Sequence, residues 1–352
     1  MRILHVIQEL ETGGAERVVV TLAAGAREAG HEVAVASAAG ALRDELDGEQ
    51  FELPLVRRRP WRAALAARAL GRALRAWQPD LLHCHNAGMA LVASLATRRG
   101  REAPGLVTFH GIADEDYGAA ARSFRLAALP VVACGPGVET GLLERGLHPL
   151  TTIVNGISPA PPPADREALE AELGLPAGRP LLVSVGRLIP QKGQLTTIRA
   201  VGELPEATLL LVGEGPRRTD LERQVAEQGL DGRVIFTGVR RDARAVVGAA
   251  DAFVLSSAGE GLPLAALEAL SGGTPVVATA VRGTRELFTD GETALLTPAG
   301  DAAGLAAALA RVLTDPALAA RLAEGGRELA AGFTDTAMVE RYLELYEGLA
   351  RS

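Results

Sequence analysis

The chain has 352 residues, 48% of them hydrophobic and 22% charged, so it is too long for one ordinary core and too apolar for a disordered polypeptide. Its formal net charge of -7 gives no electrostatic ground for a nucleic-acid partner, and no apolar stretch reaches the roughly 20 residues of a membrane-spanning helix. Cys84 and Cys134 are too few for a disulfide scaffold and read as buried thiols in a reducing cytoplasm.

From the N-terminus, Met1-Arg2 leads into a strand-like run over 2–7, too short for a signal-peptide core. Further apolar runs at 32–36, 80–84, 105–109, 130–133 and 151–154 read as strands, with helical patterns near 15–29, 62–77, 87–98 and 136–145. The proline run Pro159 to Pro163 then interrupts the pattern. Beyond it, strands are expected at 180–185, 207–212, 233–236, 252–255 and 275–278, and helices near 191–202, 216–228, 262–271, 301–314 and 316–331. This alternation predicts an α/β fold of two Rossmann-like domains with parallel sheets, over 1–157 and 158–333, facing across a cleft. A last helix over 334–352, capped by Thr334 or Asp335, is expected to return to the first domain. The first 157 residues hold 17 Arg and 17 Asp plus Glu, so the whole net charge lies in the remainder. In such sheets ligands bind at the carboxyl ends of strands, which directs attention to the loops there.

Three of those loops carry candidate chemistry. Gly13 and Gly14 join the first strand to the first helix, where paired glycines let a backbone approach a phosphate, though a tight turn would use them equally. The Gly-x-Gly-x-x-Gly fingerprint is absent, which argues against a nicotinamide enzyme. The second loop, Gly186-Arg187 to Lys192-Gly193, sets two cations at a strand end, able to clamp a diphosphate or simply to face solvent. Lys192 is the only lysine among 36 basic residues, which a place where arginine does not serve would explain, and chance equally. The third, Glu260-Gly261-Leu262-Pro263 to Glu268, places Pro263 at a first helical position and its two carboxylates at most about 12 Å apart. That separation spans a nucleotide sugar: carboxylates accept hydrogen bonds from sugar and ribose hydroxyls, with the diphosphate at the helix N-terminus between them, although Glu268 also reads as a solvated helix residue.

Other features are weaker. His83 and His85 flank Cys84 on one strand, but a structural zinc needs about four ligands and no fourth is nearby. Asp114-Glu115-Asp116 reads as a solvated acidic loop or an acceptor contact. Arg57, Arg58, Arg59, Arg62, Arg68, Arg72 and Arg75, interleaved with Trp61, Leu65, Leu70, Leu74 and Trp77, form a basic amphipathic stretch over 57–77. It suits an anionic lipid surface or an anionic acceptor, and equally an ordinary helix with a solvated arginine face.

Gly-Arg-x-x-x-x-Lys-Gly followed by Glu-Gly-Leu-Pro-x-x-x-x-Glu-Ala resembles the retaining glycosyltransferases of family 4, with their GT-B architecture. Thr108-Phe109-His110-Gly111, Asn155-Gly156-Ile157 and Phe236-Thr237-Gly238-Val239 extend the resemblance over nearly the whole chain. It implies that Gly13 and Gly14 lie near the diphosphate, that Arg187 and Lys192 neutralise it, and that Gly238 and Val239 lie by the base. It further implies that Glu260, with Gly261 and Leu262, contacts the donor sugar, Glu268 the ribose, and that His110 lies near the reacting centre. Where the family often has Asp after Asn-Gly-Ile, Ser158 stands here. The expected activity is sugar transfer from a UDP-, GDP- or ADP-sugar to a hydroxyl acceptor, lipid-linked or anionic, with retention. It belongs to bacterial glycan, glycolipid or glycoconjugate synthesis and requires no cofactor and no metal. The protein is expected to be cytoplasmic, with peripheral membrane contact open. The alternatives are a UDP-sugar epimerase of the same architecture and a non-catalytic sugar-nucleotide-binding protein.

Overall fold

A computed structural model describes residues 1–56, 60–97, 103–112 and 114–351. The chain divides into two compact units, Met1–Gly156 with Asp335–Ser352, and Ile157–Thr334.

The first unit runs β1 (Arg2–Val6), α1 (Gly14–Glu28), β2 (Glu32–Ser37), β3 (Glu49–Glu52), α2 (Pro60–Trp77), β4 (Leu81–Cys84), α3 (Ala87–Thr97), β5 (Gly105–Phe109), α4 (Tyr117–Ala127), β6 (Val131–Ala133), α5 (Pro136–Leu143) and β7 (Thr151–Thr152). Its seven strands form a parallel sheet in the order β3-β2-β1-β4-β5-β6-β7. The central strands are buried along their length, as a sheet covered on both faces requires. In α1, Val18, Val19, Leu22, Ala23 and Ala26 fall on one buried stripe at helical spacing.

The second unit contains α6 (Arg166–Leu173), β8 (Leu181–Val185), α7 (Gln194–Gly202), β9 (Thr208–Val212), α8 (Arg218–Glu227), β10 (Val234–Gly238), α9 (Ala243–Gly248), β11 (Ala252–Leu255), α10 (Leu264–Gly272), β12 (Val276–Thr279), β13 (Leu295–Thr297), α11 (Ala302–Thr314) and α12 (Pro316–Ala330). Six strands pair in the order β10-β9-β8-β11-β12-β13 around a core that includes Leu182, Leu209, Leu211, Val254 and Val277. Asp165, Asp301 and Asp315 cap α6, α11 and α12 by accepting backbone N–H bonds. The chain then enters α13 (Asp335–Arg351), which belongs to the first unit and packs against α1 and β4. No single helix among the described residues is both long and apolar enough to cross a membrane.

Several elements differ from the sequence expectation. Edge strand β3, Glu-Gln-Phe-Glu, has one apolar residue and no alternation to reveal it. Helices α4, α6 and α9 and the three-residue β13 are also absent from the expected set, with α6 starting just after the proline run. Pro263 is the cap of α10 rather than its first helical residue. The helix expected from 191 begins at Gln194, after one tight turn over Pro190–Lys192.

Each sheet has one point where strand order reverses: between β1 and β4, and between β8 and β11. Splayed loops there open a crevice at the carboxyl ends of the strands.

Candidate active site

At the reversal in the second unit, the loop after β8 meets the loop after β11. Lys192 Nζ donates to Glu260 Oε1 at 2.7 Å, with the lysine side chain 25% exposed and the glutamate 7%. Ser257 also donates its hydroxyl to that carboxylate. The loops are stitched together by Ala258 N–H to the Gln191 carbonyl at 2.8 Å and by Gln191 Nε2 to the Gly259 carbonyl at 2.9 Å. Ser256 Oγ accepts from Thr197 and donates to the Gly193 carbonyl. Gly193 has φ +66° and no room for a Cβ, which would collide with the Ser256 carbonyl; only glycine lets the loops approach this closely. Arg187 is exposed beside them, its carbonyl held by Gln194 Nε2 at 2.8 Å. Its guanidinium makes no ion pair among the described residues. The Lys192 stem lies within ordinary contact of Gly186, 3.7 Å from where a Cβ would stand. Gly261 and Leu262 are buried as the chain turns toward α10.

Glu268 lies on the second turn of α10. Its Oε1 lies 3.5 Å from Nε of Arg244, on α9. Gly238 ends β10, a Cβ there would approach Glu214, and Val239 beside it is exposed.

At the reversal in the first unit there is a cavity of about 220 Å³, lined by Gln8, Glu9, Glu16, His85, Asn86 and His110 among others. Gly13 caps α1 in extended conformation, and a Cβ there would collide with the Glu16 carboxylate. Gly14 is the first residue of the helix. His110 lines the cavity, but both ring nitrogens are engaged: Nε2 lies 3.3 Å from His85 Nδ1 and Nδ1 lies 3.4 Å from Asn155 Nδ2. Behind it, His85 Nε2 meets His5 Nδ1 at 2.9 Å. His83 meets Tyr346 Oη at 2.6 Å and Thr108 Oγ1 at 2.7 Å, and Thr108 meets Tyr342 Oη at 2.7 Å. This polar network lies under α13. Burial pushes His110 down to about 4 and His5 to about 3, and holds His83 and His85 well below the usual histidine range. All four are therefore neutral near pH 7.

His5, the imidazole that sequence reasoning missed, is in register with His83 on the neighbouring strand. Candidate ligand atoms of His5, His83 and His85 lie within 4.8 Å of one another, the one such group among the described residues. Both nitrogens of His83 already have hydroxyl partners, and His5 and His85 are bonded to each other, so a metal ion would have to displace these bonds. Burial raises both thiols, Cys84 and Cys134, to about 12.

Leu70, Leu74 and Trp77 of α2 are buried and belong to the core. Trp61 and Leu65 are 58% and 48% exposed and share an outer face with Arg68, Arg72 and Arg75. Arg62 stacks over Trp61, 5.2 Å from its centroid. Arg57, Arg58 and Arg59 lie outside the described residues. Asp114-Glu115-Asp116 forms an exposed turn, with Asp114 3.7 Å from Arg145.

Two doubly wound parallel sheets, each with polar side chains gathered at its reversal point, define a pair of Rossmann-type units. Comparison with known proteins narrows that class. The family profile "Glycosyl transferases group 1" matches residues 165–329 and "Glycosyltransferase Family 4" matches residues 12–160. The lipopolysaccharide core biosynthesis glycosyltransferase LpsE of Rhizobium meliloti is 40% identical over 176 residues, covering 50% of this chain and 52% of that protein. Glycogen synthase of Mycobacterium tuberculosis is 31% identical over 288 residues, covering 76% and 68%. The crystal structure of Anabaena Alr3699/HepE in complex with UDP-glucose superimposes with a TM-score of 0.87 at 25% identity, over 99% of this chain and 100% of that one. The chain belongs to the family 4 glycosyltransferases and has their GT-B fold. It spans about half the length of LpsE and of other curated relatives that it matches.

Proposed function

We propose that this protein transfers a sugar from a nucleoside diphosphate sugar to an acceptor hydroxyl with retention of configuration, in bacterial glycan, glycolipid or glycoconjugate synthesis. The observation that carries this reading is the Lys192–Glu260 pair at the β8/β11 reversal, with the exposed Arg187, which makes no ion pair among the described residues, beside it. A diphosphate arriving there meets two cations, and Glu260 stands close enough to Lys192 for one ligand to reach both. Negative charge grows on the diphosphate as the donor bond breaks, so fixed cations stabilise the transition state more than the bound donor. The same cations supply the charge that a divalent metal would otherwise provide, so no metal is required. Among the described residues the one hydroxyl on Glu260, that of Ser257, is fully buried and donates its proton to that carboxylate, so it is not an evident nucleophile for double displacement. Front-face attack, with the departing phosphate oxygen taking the acceptor proton, fits this site.

Among donors, UDP sugars are favoured by the relative solved with UDP-glucose. The cavity of the first unit, lined by Gln8, Asn86 and His110 among the described residues, offers hydrogen-bonding groups to an acceptor hydroxyl. The outer face of α2, with Trp61, Leu65 and three exposed arginines, supports peripheral contact with an anionic membrane from the cytoplasmic side. A thermal-shift panel of UDP, GDP, ADP and their sugars tests the reading, since a ligand that binds only the folded state raises the midpoint by mass action. A rise with at least one nucleotide sugar is expected; no response to any at millimolar concentration refutes it. Sugar isomerised without acceptor would instead identify an epimerase.

A further inference from the structure

The proposed donor site leaves Arg244 without a role. It sits in the first turn of α9, a helix that packs against α10, which carries Glu268. Among the described residues its guanidinium makes three contacts on two sides. One terminal nitrogen donates to the carbonyls of Ser158 and Pro159, at 2.6 and 2.9 Å. Nε, sealed from solvent and without a hydrogen bond among the described residues, has Glu268 Oε1 as its counter-charge at 3.5 Å. The two carbonyls belong to the segment that enters the second unit, so the arginine is braced against backbone rather than free to swing.

We propose that Arg244 is a positioning residue for the donor's ribose: it holds the Glu268 carboxylate in the orientation that accepts the ribose hydroxyls. The inference rests on the reading of Glu268 as the ribose ligand. A glutamate on a helix surface samples several rotamers, and a nucleotide that needs one of them must immobilise the rest. A braced cation beside Oε1 removes that freedom before the nucleotide arrives. The planar fork allows backbone and carboxylate to be engaged together, which an ammonium on a flexible stem does not reproduce. Glu268 is 29% exposed, enough to be reached by a ligand.

The experiment is calorimetric titration with UDP, GDP and ADP, followed by the 2′-deoxy and 3′-deoxy forms of whichever binds. Wild type, Glu268→Gln, Arg244→Met, Arg244→Lys and Arg244→Met/Glu268→Gln are compared, with a melting curve for each. Wild type should prefer the ribonucleotide about tenfold, the scale of one hydrogen bond to a charged group. Glu268→Gln should abolish that preference. Arg244→Met should weaken ribonucleotide binding about threefold to tenfold and largely abolish the preference, with binding of the deoxy form unchanged. Arg244→Lys should follow Arg244→Met, and the double variant should be no worse than Glu268→Gln. If Arg244→Met weakens both forms equally, or either Arg244 variant keeps the wild-type preference, the positioning role is wrong. If Glu268→Gln keeps the preference, the ribose assignment of Glu268 fails first, and failure of all three nucleotides to bind removes the donor site itself.

Discussion

Replacing Lys192 by alanine removes two things at once, and the structure separates them. The first is the cation at the leaving diphosphate, whose loss is expected to cost about 10²–10³ in turnover. The second is the partner of a buried carboxylate. Glu260 is only 7% exposed and would keep the Ser257 hydroxyl but no cation. Breaking a fully buried pair from one side costs about 3–5 kcal/mol. Lys192 is 25% exposed, so water can partly replace it, and about 2 kcal/mol is the better figure. For a unit of this size that lowers the melting temperature by about 4–8 °C. Neutralising the stranded carboxylate in Lys192→Ala/Glu260→Gln should recover most of the stability and none of the activity. Lys192→Arg keeps the charge, but its larger planar head must fit between Glu260 and the leaving group, so little turnover should return. The assay is nucleotide release in the presence of acceptor, beside melting curves for all three variants. Near-native turnover in Lys192→Arg would show that the lone lysine is an accident of composition. Near-native turnover in Lys192→Ala would refute the diphosphate clamp.

Turnover should survive a chelator; activity abolished by it and restored by magnesium or manganese would contradict the cation-only account. The product should keep the donor's anomeric configuration, read from proton couplings, and an inverted linkage would rule out front-face attack. The protein should float with anionic but not neutral liposomes at low salt, and Trp61→Ser/Leu65→Ser should weaken this; failure to bind either liposome leaves the α2 face purely structural. Stability should fall on mild acidification. Unfolded histidine titrates near 6.5 while His110 and His5 are held to about 4 and 3, so between those values the unfolded chain takes up more protons. The stability contribution is whole above about pH 6.5 and is lost as pH falls, at about 1.4 kcal/mol per pH unit for an imidazole kept neutral. A melting temperature unchanged between about pH 7 and 4.5 would contradict the buried network.

The alternation of apolar runs and helical stripes made the two Rossmann-like units legible in the sequence, because central parallel strands are buried on both faces and carry little else. Strand β3 was invisible because an edge strand with one phenylalanine has no hydrophobic pattern. Arg187, Lys192 and Glu260 stood out because glycines and a proline punctuate the loops that hold them. What supports them did not. Ser257 is bonded to Glu260 through a turn, Arg244 reaches Glu268 across two helices, and His5 meets His85 only because β1 and β4 pair in that register. The last two contacts depend on how elements distant in sequence pack, and no local spacing encodes them; the first spans only three residues but depends on the turn that the chain takes there. Leu70 and Trp77, by contrast, were grouped with an amphipathic surface and prove to be core, since periodicity alone does not say which face a helix buries.

The central claim is that the β8/β11 reversal binds the diphosphate of a nucleotide donor. It is tested most directly by titrating uridine, UMP and UDP, with the adenosine and guanosine series beside them, into wild type and Arg187→Ala. Arg187 makes no ion pair among the described residues, so its removal probes phosphate binding without stranding a buried charge. The account predicts that affinity rises about 10²-fold or more from nucleoside to diphosphate, and that most of this increment disappears in Arg187→Ala with nucleoside binding unchanged. Equal affinity for nucleoside and diphosphate, or an increment retained in full by Arg187→Ala, would contradict it.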